Sequence, residues 1–224
     1  MNKILSTTAL LLIVLSSKAQ SNSFGTLNLS GGLGAGLYAT NSEVSATYLG
    51  GSLVIRDQDT SAAATTYAYL SGDYGVSKLF SAGFYLQSGS YLESDTNTRD
   101  RENHFFKLGI MPKFYIINRD RFNLYTGLGL GFVRLRTSEQ DGNTKAEAKY
   151  AGSNLQVRLG LNAYFTKSIG MFFHLGYDGN YFDLKEYTFT SGNTTNTPSN
   201  LSGDLNAKGL EVAIGLNFKL TTAN

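Results

Sequence analysis

The twelve residues from Gly209 to Leu220 alternate without a break between large apolar side chains and small or polar ones. One face carries Leu210, Val212, Ile214, Leu216, Phe218 and Leu220, and the other carries Gly209, Glu211, Ala213, Gly215, Asn217 and Lys219. A strand that crosses a lipid bilayer needs one apolar side, and its backbone must pair sideways because the bilayer core offers no water. The alternation therefore predicts a transmembrane β-strand in a closed sheet.

The N-terminus has the three regions of an export signal. Lys3 gives a positive start, residues 4–15 are mainly apolar, and Ser17 and Ala19 are small residues suited to a cut after Ala19. The uninterrupted apolar run, at residues 9–15, is too short to span a bilayer as a helix. We therefore predict a signal peptide at 1–19 and a single mature domain at 20–224.

The charge balance argues against one class of partner. The sequence has 19 Lys and Arg against 17 Asp and Glu, and removal of Lys3 and Lys18 with the signal leaves the mature chain near neutral. A neutral chain has no basic surplus for nucleic acid. The sequence also has no Cys and no metal-ligand spacing in its polar loops, so we expect no cofactor and no metal.

Alternation recurs along the whole mature chain and predicts eight strands. Their approximate bounds are 26–38, 65–76, 79–92, 104–116, 122–134, 150–164, 169–181 and 207–220. Tight turns near Ser77, Asp120 and Lys167 alternate with four longer polar loops, at 39–64, 93–103, 137–149 and 182–206. Short turns on one side and long loops on the other are typical of outer-membrane barrels, so we predict an all-β, antiparallel up-and-down transmembrane β-barrel.

Two features fit this pattern poorly. Pro112 lies inside the fourth strand, where it removes a backbone donor and predicts a bulge. Residues 46–55 resemble a strand but lie in the first long loop, and we interpret them as an extension above the membrane, with a ten-strand barrel as the alternative. A soluble, lipocalin-like barrel with the two faces reversed is the alternative fold.

Three stretches resemble the small outer-membrane β-barrel family of the OmpA-barrel and OmpX type. They are Leu27-Asn28-Leu29-Ser30-Gly31-Gly32-Leu33-Gly34, Gly72-Asp73-Tyr74-Gly75-Val76-Ser77-Lys78-Leu79 and Tyr125-Thr126-Gly127-Leu128-Gly129-Leu130-Gly131-Phe132. The resemblance covers essentially the whole mature chain. It implies location in a Gram-negative outer membrane and insertion by the barrel-assembly machinery. We expect no peptidoglycan-binding domain after the barrel.

The phase opposite to the apolar face places seven ionisable side chains inside the barrel: Asp73, Lys107, Lys113, Arg158, His174, Asp178 and Glu211. We expect Arg158, His174 and Glu211 to be neighbours near mid-height, Asp73 and Lys113 to lie lower, and Lys107 and Asp178 to lie higher. Charges in a narrow barrel persist only when they are paired. We interpret the set as a structural network of salt bridges, with a gated path for protons or small ions as the alternative.

Six outward aromatic residues lie near the short-turn end: Tyr74, Phe80, Phe114, Phe122, Phe165 and Phe218. Their shared phase and height predict an aromatic girdle at the inner membrane interface.

The Gly-rich runs at 32–36 and 127–131 lie within strands and lack a following helix, so they do not predict a nucleotide site. Glycine facing the interior instead leaves room for bulky neighbours.

No catalytic residue is predicted. Outer-membrane lipid A deacylases use a His-x-Ser arrangement, but His174-Leu175-Gly176 has no nucleophile at that spacing, and His104 lies at a strand edge. We expect a non-enzymatic monomer that supports the envelope or displays its loops, with outer-membrane lipid and lipopolysaccharide as its surroundings. A narrow pore is the second hypothesis, and a lipid-modifying enzyme is the third.

Overall fold

The computed structural model describes residues 21–47, 54–93, 100–197 and 201–221, so the predicted signal peptide lies outside the described residues. Ten β-strands account for nearly all of the described chain. They are β1 (Thr26–Thr47), β2 (Val54–Gly75), β3 (Phe80–Glu93), β4 (Asp100–Ile110), β5 (Lys113–Asn118), β6 (Phe122–Asp141), β7 (Thr144–Tyr164), β8 (Ile169–Ser191), β9 (Thr194–Asn196) and β10 (Leu201–Thr221). Among the described residues, no helix is long and apolar enough to cross a bilayer.

The strands close into a ring of eight positions, which we call walls. Each wall is one strand, except that β4 and β5 together form one. All pairings are antiparallel in the order β10-β1-β2-β3-β4-β6-β7-β8, and β10 also pairs with β8. β5 continues the wall begun by β4, because both lie between β3 and β6. Within the described residues, β9 pairs with β8 alone and adds no position to the ring. The prediction of an eight-strand barrel is therefore confirmed, and the ten-strand alternative is wrong.

Pro112 causes the break between β4 and β5. Proline has no N–H to donate to the ladder, so the strand is interrupted at Met111 and Pro112 and resumes at Lys113. The neighbouring strands compensate, since Met111 N donates to Gly83 O at 2.8 Å and Leu128 N donates to Pro112 O at 3.2 Å. A further register shift lies between Tyr115 and Ile117, so the predicted irregularity is present.

The apolar face points outward. Val212, Ile214 and Leu216 are 41%, 53% and 49% exposed, whereas Glu211 on the same strand is 1% exposed. The apolar band of β10 runs from Leu210 to Leu220, which is close to the roughly nine to eleven residues that a tilted strand needs to cross a bilayer. A soluble barrel would bury these leucines, so the reversed, lipocalin-like alternative is wrong.

The strands continue much further beyond the outer side of the apolar band than the sequence predicts. The loops predicted at 39–64, 137–149 and 182–206 are largely β-ribbon: β1 and β2 pair as far as Thr47 and Val54, and β6 and β7 pair as far as Asp141 and Thr144. The fourth loop, at 93–103, also gives its last four residues to β4. These segments lie beyond the apolar band, and the apolar alternation that marks the membrane-spanning strands does not continue through them.

Two of the ribbons end in the same short turn. Asp141-Gly142-Asn143-Thr144 and Ser191-Gly192-Asn193-Thr194 each have glycine in the left-handed region, with φ of 56°. A two-residue Gly-Asn loop is a recognised hairpin signal. These two turns are therefore the sequence feature that indicates the strand extensions. The strand-like segment at 46–55 begins and ends in the β1–β2 ribbon, where Ala46 pairs with Ile55, while residues 48–53 lie outside the described residues.

Candidate functional site

The seven ionisable side chains placed inside by phase all lie in the barrel interior, where none is more than 3% exposed: Asp73, Lys107, Lys113, Arg158, His174, Asp178 and Glu211. Six of them form three ion pairs. The pairs follow one another from the inner, short-turn end of the barrel to the outer end, because their strand positions step outward in the sheet register. The sequence therefore indicated the heights of the partners but not the individual contacts.

The middle pair joins Arg158 on β7 to Glu211 on β10. Arg158 Nη2 donates to Glu211 Oε1 at 2.9 Å, and both side chains are fully buried. Arg158 also donates to Tyr69 Oη and to Gln156 Oε1, each at 2.8 Å. Gln87 Nε2 donates to Glu211 Oε2 at 3.1 Å. These hydrogen bonds compensate both charges for the loss of water.

The outer pair joins Lys107 on β4 to Asp178 on β8. Asp178 also accepts hydrogen bonds from Tyr38 Oη at 2.8 Å, from Asn180 Nδ2 at 2.9 Å and from Asn154 Nδ2. Four donors from four strands therefore converge on one carboxylate that is 0% exposed. This network ties together walls that are not neighbours in the sheet.

The inner pair joins Lys113 on β5 to Asp73 on β2, with Lys113 Nζ 2.6 Å from Asp73 Oδ2. The ammonium also lies 4.7 Å from the ring centre of Tyr125, in cation–π geometry. Lys113 follows Pro112 directly, so the break in the fourth wall positions this lysine.

His174 lies beside the middle pair but does not join it. Neither ring nitrogen has a hydrogen-bond partner among the described residues, although the side chain is 0% exposed. The ring stacks on Phe172 at 5.6 Å and meets Tyr69 edge-on at 4.9 Å. The imidazole therefore packs as an aromatic ring, and a role in a proton path gains no support from its contacts.

Large aromatic side chains fill the remaining space, and phase analysis did not single them out. Those that are less than 8% exposed are Tyr38, Tyr67, Tyr69, Tyr85, Tyr91, Phe105, Tyr115, Tyr125, Tyr164, Phe172 and Phe182. Interior glycines make room for them: a Cβ at Gly34 would lie 2.3 Å from the Tyr67 ring, and one at Gly160 would lie 2.1 Å from the Tyr125 ring. The Gly-rich strands therefore accommodate tyrosines.

The inner end of the barrel is covered by the residues that precede β1. Ser21 and Asn22 are at most 1% exposed. Asn22 N donates to Asn118 Oδ1 at 2.9 Å, Asn118 Nδ2 donates back to Asn22 O at 2.7 Å, and Asn123 Nδ2 donates to Ser21 Oγ at 2.6 Å. Sequence analysis missed this segment because it carries no alternation.

The lumen is filled from the inner end to beyond mid-height. Tyr85, Gln87, His174 and Asp178, which come from two opposite walls, are all 0% exposed, so no water-sized space adjoins them. Eight-stranded barrels have interiors just wide enough for side chains to fill. At these levels the described interior is packed with side chains.

Above the outer ion pair the barrel opens into a cavity of about 320 Å³, which we call the outer cup. Every wall contributes to its lining: Thr40, Ser42, Asp59, Ser61, Tyr91, Asn103, Leu135, Thr137, Ser138, Glu139, Ala146, Ala148, Tyr150, Phe182, Tyr187, Leu205 and Ala207. The next interior residues toward the membrane are Phe105 and Lys107 on β4 and Asn180 and Asp178 on β8. The cup therefore has a closed floor and opens at the end that carries the long ribbons.

The six residues predicted to form a girdle all face outward near the inner end. They are between 36% and 63% exposed: Tyr74, Phe80, Phe114, Phe122, Phe165 and Phe218. Phe24, which sequence analysis did not include, meets Tyr74 edge-on at 6.2 Å and is 67% exposed. These rings lie where amphipathic aromatic side chains favour a membrane interface.

The outward surface also holds a serine–histidine contact that sequence analysis missed. Ser88 Oγ lies 3.3 Å from His104 Nε2 across the β3–β4 ladder, and His104 is exposed. A catalytic pair also needs a group that orients the histidine. Among the described residues, no carboxylate bonds to His104, and no group of three or more His, Cys, Asp or Glu residues is placed to hold a metal ion.

The outer ribbons carry exposed ion pairs. Glu147 contacts Lys145 at 2.5 Å and Arg136 at 3.0 Å. The hydrogen bonds from Lys145 and then from Arg136 hold the pKa of Glu147 below its ordinary value. Because the folded pKa is lowered, the associated stabilisation is present at neutral pH and is lost as the pH falls through the folded pKa. Since the group is near water, this contribution is small.

The closed eight-strand ring, the apolar exterior and the filled polar interior define a small β-barrel of the outer-membrane type. The outer membrane protein OprG from Pseudomonas aeruginosa has this fold, with a TM-score of 0.58 at 13% identity over 92% of this chain and 100% of that chain. The outer membrane protein AlkL, determined in DMPC bilayers, gives a TM-score of 0.51 at 15% identity over 93% of this chain and 96% of that chain.

These similarities confirm the predicted resemblance at the level of the fold. No protein-family model and no curated protein matches the sequence. Both solved structures are outer-membrane proteins. Identities this low relate folds and leave the function to the residues of this chain.

Proposed function

We propose that this chain is a non-enzymatic outer-membrane barrel that is closed to solutes and presents its outer ribbons and outer cup at the cell surface. The observation that carries the proposal is the filled lumen, in which three buried ion pairs and their aromatic neighbours occupy the interior below the cup. A pore needs a continuous water-filled path. The ribbons, by contrast, extend well beyond the apolar band and carry polar and charged side chains into water.

The proposed surroundings follow from the exterior. The apolar band would contact outer-membrane lipid and lipopolysaccharide, and the barrel-assembly machinery would insert the chain. In the described part of the chain, the β1–β10 and β8–β10 pairings close the ring and leave no unpaired strand edge within the band, which favours a monomer. We expect the protein to fractionate with outer membranes and to migrate differently on gels with and without heating. We also expect its intact mass to correspond to a mature chain that begins at Gln20. A protein recovered in the soluble fraction would contradict the location.

Planar-bilayer recording tests the closed lumen. We expect negligible single-channel conductance from the purified protein, because Arg158 and Glu211 lie in a packed layer. Glu211→Ala should also give negligible conductance, since the tyrosines and the other two ion pairs remain. A stable conductance in the unaltered protein would reject the proposal in favour of a narrow pore. A conductance that appears only in Glu211→Ala would show that this carboxylate closes a gate.

The lipid-modifying enzyme is the less favoured alternative. Its only geometric support among the described residues is the Ser88–His104 contact, which has no orienting carboxylate. His174, the histidine that we compared with the deacylase arrangement in the sequence, is buried among aromatic rings and cannot reach lipid. We therefore assign no catalytic residue.

A further inference from the structure

We propose that the outer cup is a binding site for a small neutral saccharide of one or two rings. This inference rests on the proposed function in one respect, namely that the cup opens to the outside of the cell. The cup volume of about 320 Å³ falls at the lower end of the roughly 300–1,000 Å³ found for small-molecule sites. Because the floor is closed, a small molecule that enters the cup would be held there and would not pass through the barrel.

Hydrogen-bonding side chains dominate the lining. Eleven of the seventeen lining residues carry them: Thr40, Ser42, Asp59, Ser61, Tyr91, Asn103, Thr137, Ser138, Glu139, Tyr150 and Tyr187. Hydroxyls both donate and accept, and carboxylates accept from ligand hydroxyls. A saccharide offers a hydroxyl on most of its carbons, so it matches a wall on which such groups recur in every direction.

Aromatic side chains provide the second kind of contact by which proteins bind saccharides, namely stacking against the sugar ring. Tyr91, Tyr150, Phe182 and Tyr187 line the cup, and Leu135 and Leu205 add aliphatic surface. The C–H face of a sugar ring is apolar and packs against an aromatic plane, while its edge carries the hydroxyls. The Tyr91 ring is held in place by edge-on contact with Tyr38 at 5.7 Å and by contact with Phe105 at 5.1 Å. The Tyr91 ring is therefore packed against two other rings.

Two polar atoms in the cup wall point to a ligand independently of its shape. Tyr91 Oη and Asn103 Oδ1 have no hydrogen-bond partner among the described residues, although their side chains are only 7% and 6% exposed. Buried polar groups are normally paired, and leaving them unpaired costs stability. A ligand that brings hydroxyls to the floor would satisfy both atoms, since tyrosine donates or accepts and the amide oxygen accepts.

The lining disfavours two other classes of ligand. An apolar solute would bury the recurring hydroxyls and carboxylates without partners, and sites built from such groups reject ligands that cannot pair with them. An anionic sugar would meet the carboxylate of Asp59. Among the residues whose side chains the structure describes, no Lys or Arg lines the cup. A neutral saccharide avoids both penalties.

Calorimetric titration of the folded protein in detergent tests the site, with D-glucose, D-galactose, N-acetylglucosamine and maltose as the added ligands. We expect saturable one-to-one binding of at least one of them, with a Kd of about 1 mM or below. Tyr91→Phe should weaken that binding by about fivefold, the loss of roughly one neutral hydrogen bond. Thr137→Trp should weaken it by at least about tenfold, because the indole fills the cup.

Gln140→Trp is the matched control, since Gln140 lies three residues further along β6, is exposed and does not line the cup. Heat-modifiable gel mobility establishes that each variant is folded. Absence of saturable binding to all four sugars, or equal weakening by both tryptophan variants, would overturn the assignment. A protein that conducts ions but binds a sugar in the cup would instead reject only the closed lumen.

Discussion

Glu211→Leu is expected to lower the free energy of unfolding by about 3–5 kcal/mol, because it leaves the Arg158 guanidinium buried without its carboxylate. Glu211 accepts from Arg158 at 2.9 Å and from Gln87 at 3.1 Å, and neither charged side chain reaches water. The leucine supplies volume but no acceptor. The measurement is urea-induced unfolding of the barrel in lipid vesicles, followed by heat-modifiable mobility.

The chain offers a matched control for this experiment. Lys149 and Glu186 form an ion pair at 2.8 Å on the outer ribbons, with both side chains 47% exposed. Glu186→Leu should cost only about 0–1 kcal/mol, because each charge is already solvated. The double variant Arg158→Met, Glu211→Leu should recover most of the loss, since no buried charge remains unpaired. Equal costs for the two single variants would contradict the account of the interior.

Ile214→Arg is expected to destabilise the barrel in a bilayer by about 2–4 kcal/mol. Ile214 faces outward near the middle of the apolar band of β10 and is 53% exposed, so the guanidinium would enter the hydrocarbon core. The same unfolding measurement in lipid vesicles reports the cost.

Ser202→Arg is the control, because Ser202 has the same outward phase on the same strand but lies in the outer ribbon. Its cost should be about 0–1 kcal/mol, since an arginine there remains in water. If Ile214→Arg were tolerated as well as Ser202→Arg, the apolar face would not be in contact with lipid.

The transmembrane part of the fold could be predicted closely because the bilayer imposes one strict rule on it. Each wall must alternate in phase, so alternation alone assigns Val212 and Glu211 to opposite faces, and they lie there. The outer ribbons follow no such rule. Thr47 and Val54 belong to a β-ladder beyond the apolar band, and only the Gly-Asn turns mark similar ribbons elsewhere in the chain.

Phase also decided which charges enter the lumen, but it did not determine their contacts. Lys107 and Asp178 lie on strands that are far apart in the ring, and their meeting depends on strand tilt and side-chain length. The packing of His174 against Phe172 and Tyr69 could not be predicted from the alternation either. Alternation predicts that a side chain points inward, whereas its partner is chosen by the curvature of the closed wall.

The sequence by itself determined which residues of each membrane-spanning strand share a face, because a periodicity of two along the chain is a local property. Only the tertiary structure decided that the lumen is filled and that a cup remains above it. Those features arise where side chains from all eight walls meet, and the space left between them depends on ring closure and on every interior volume at once.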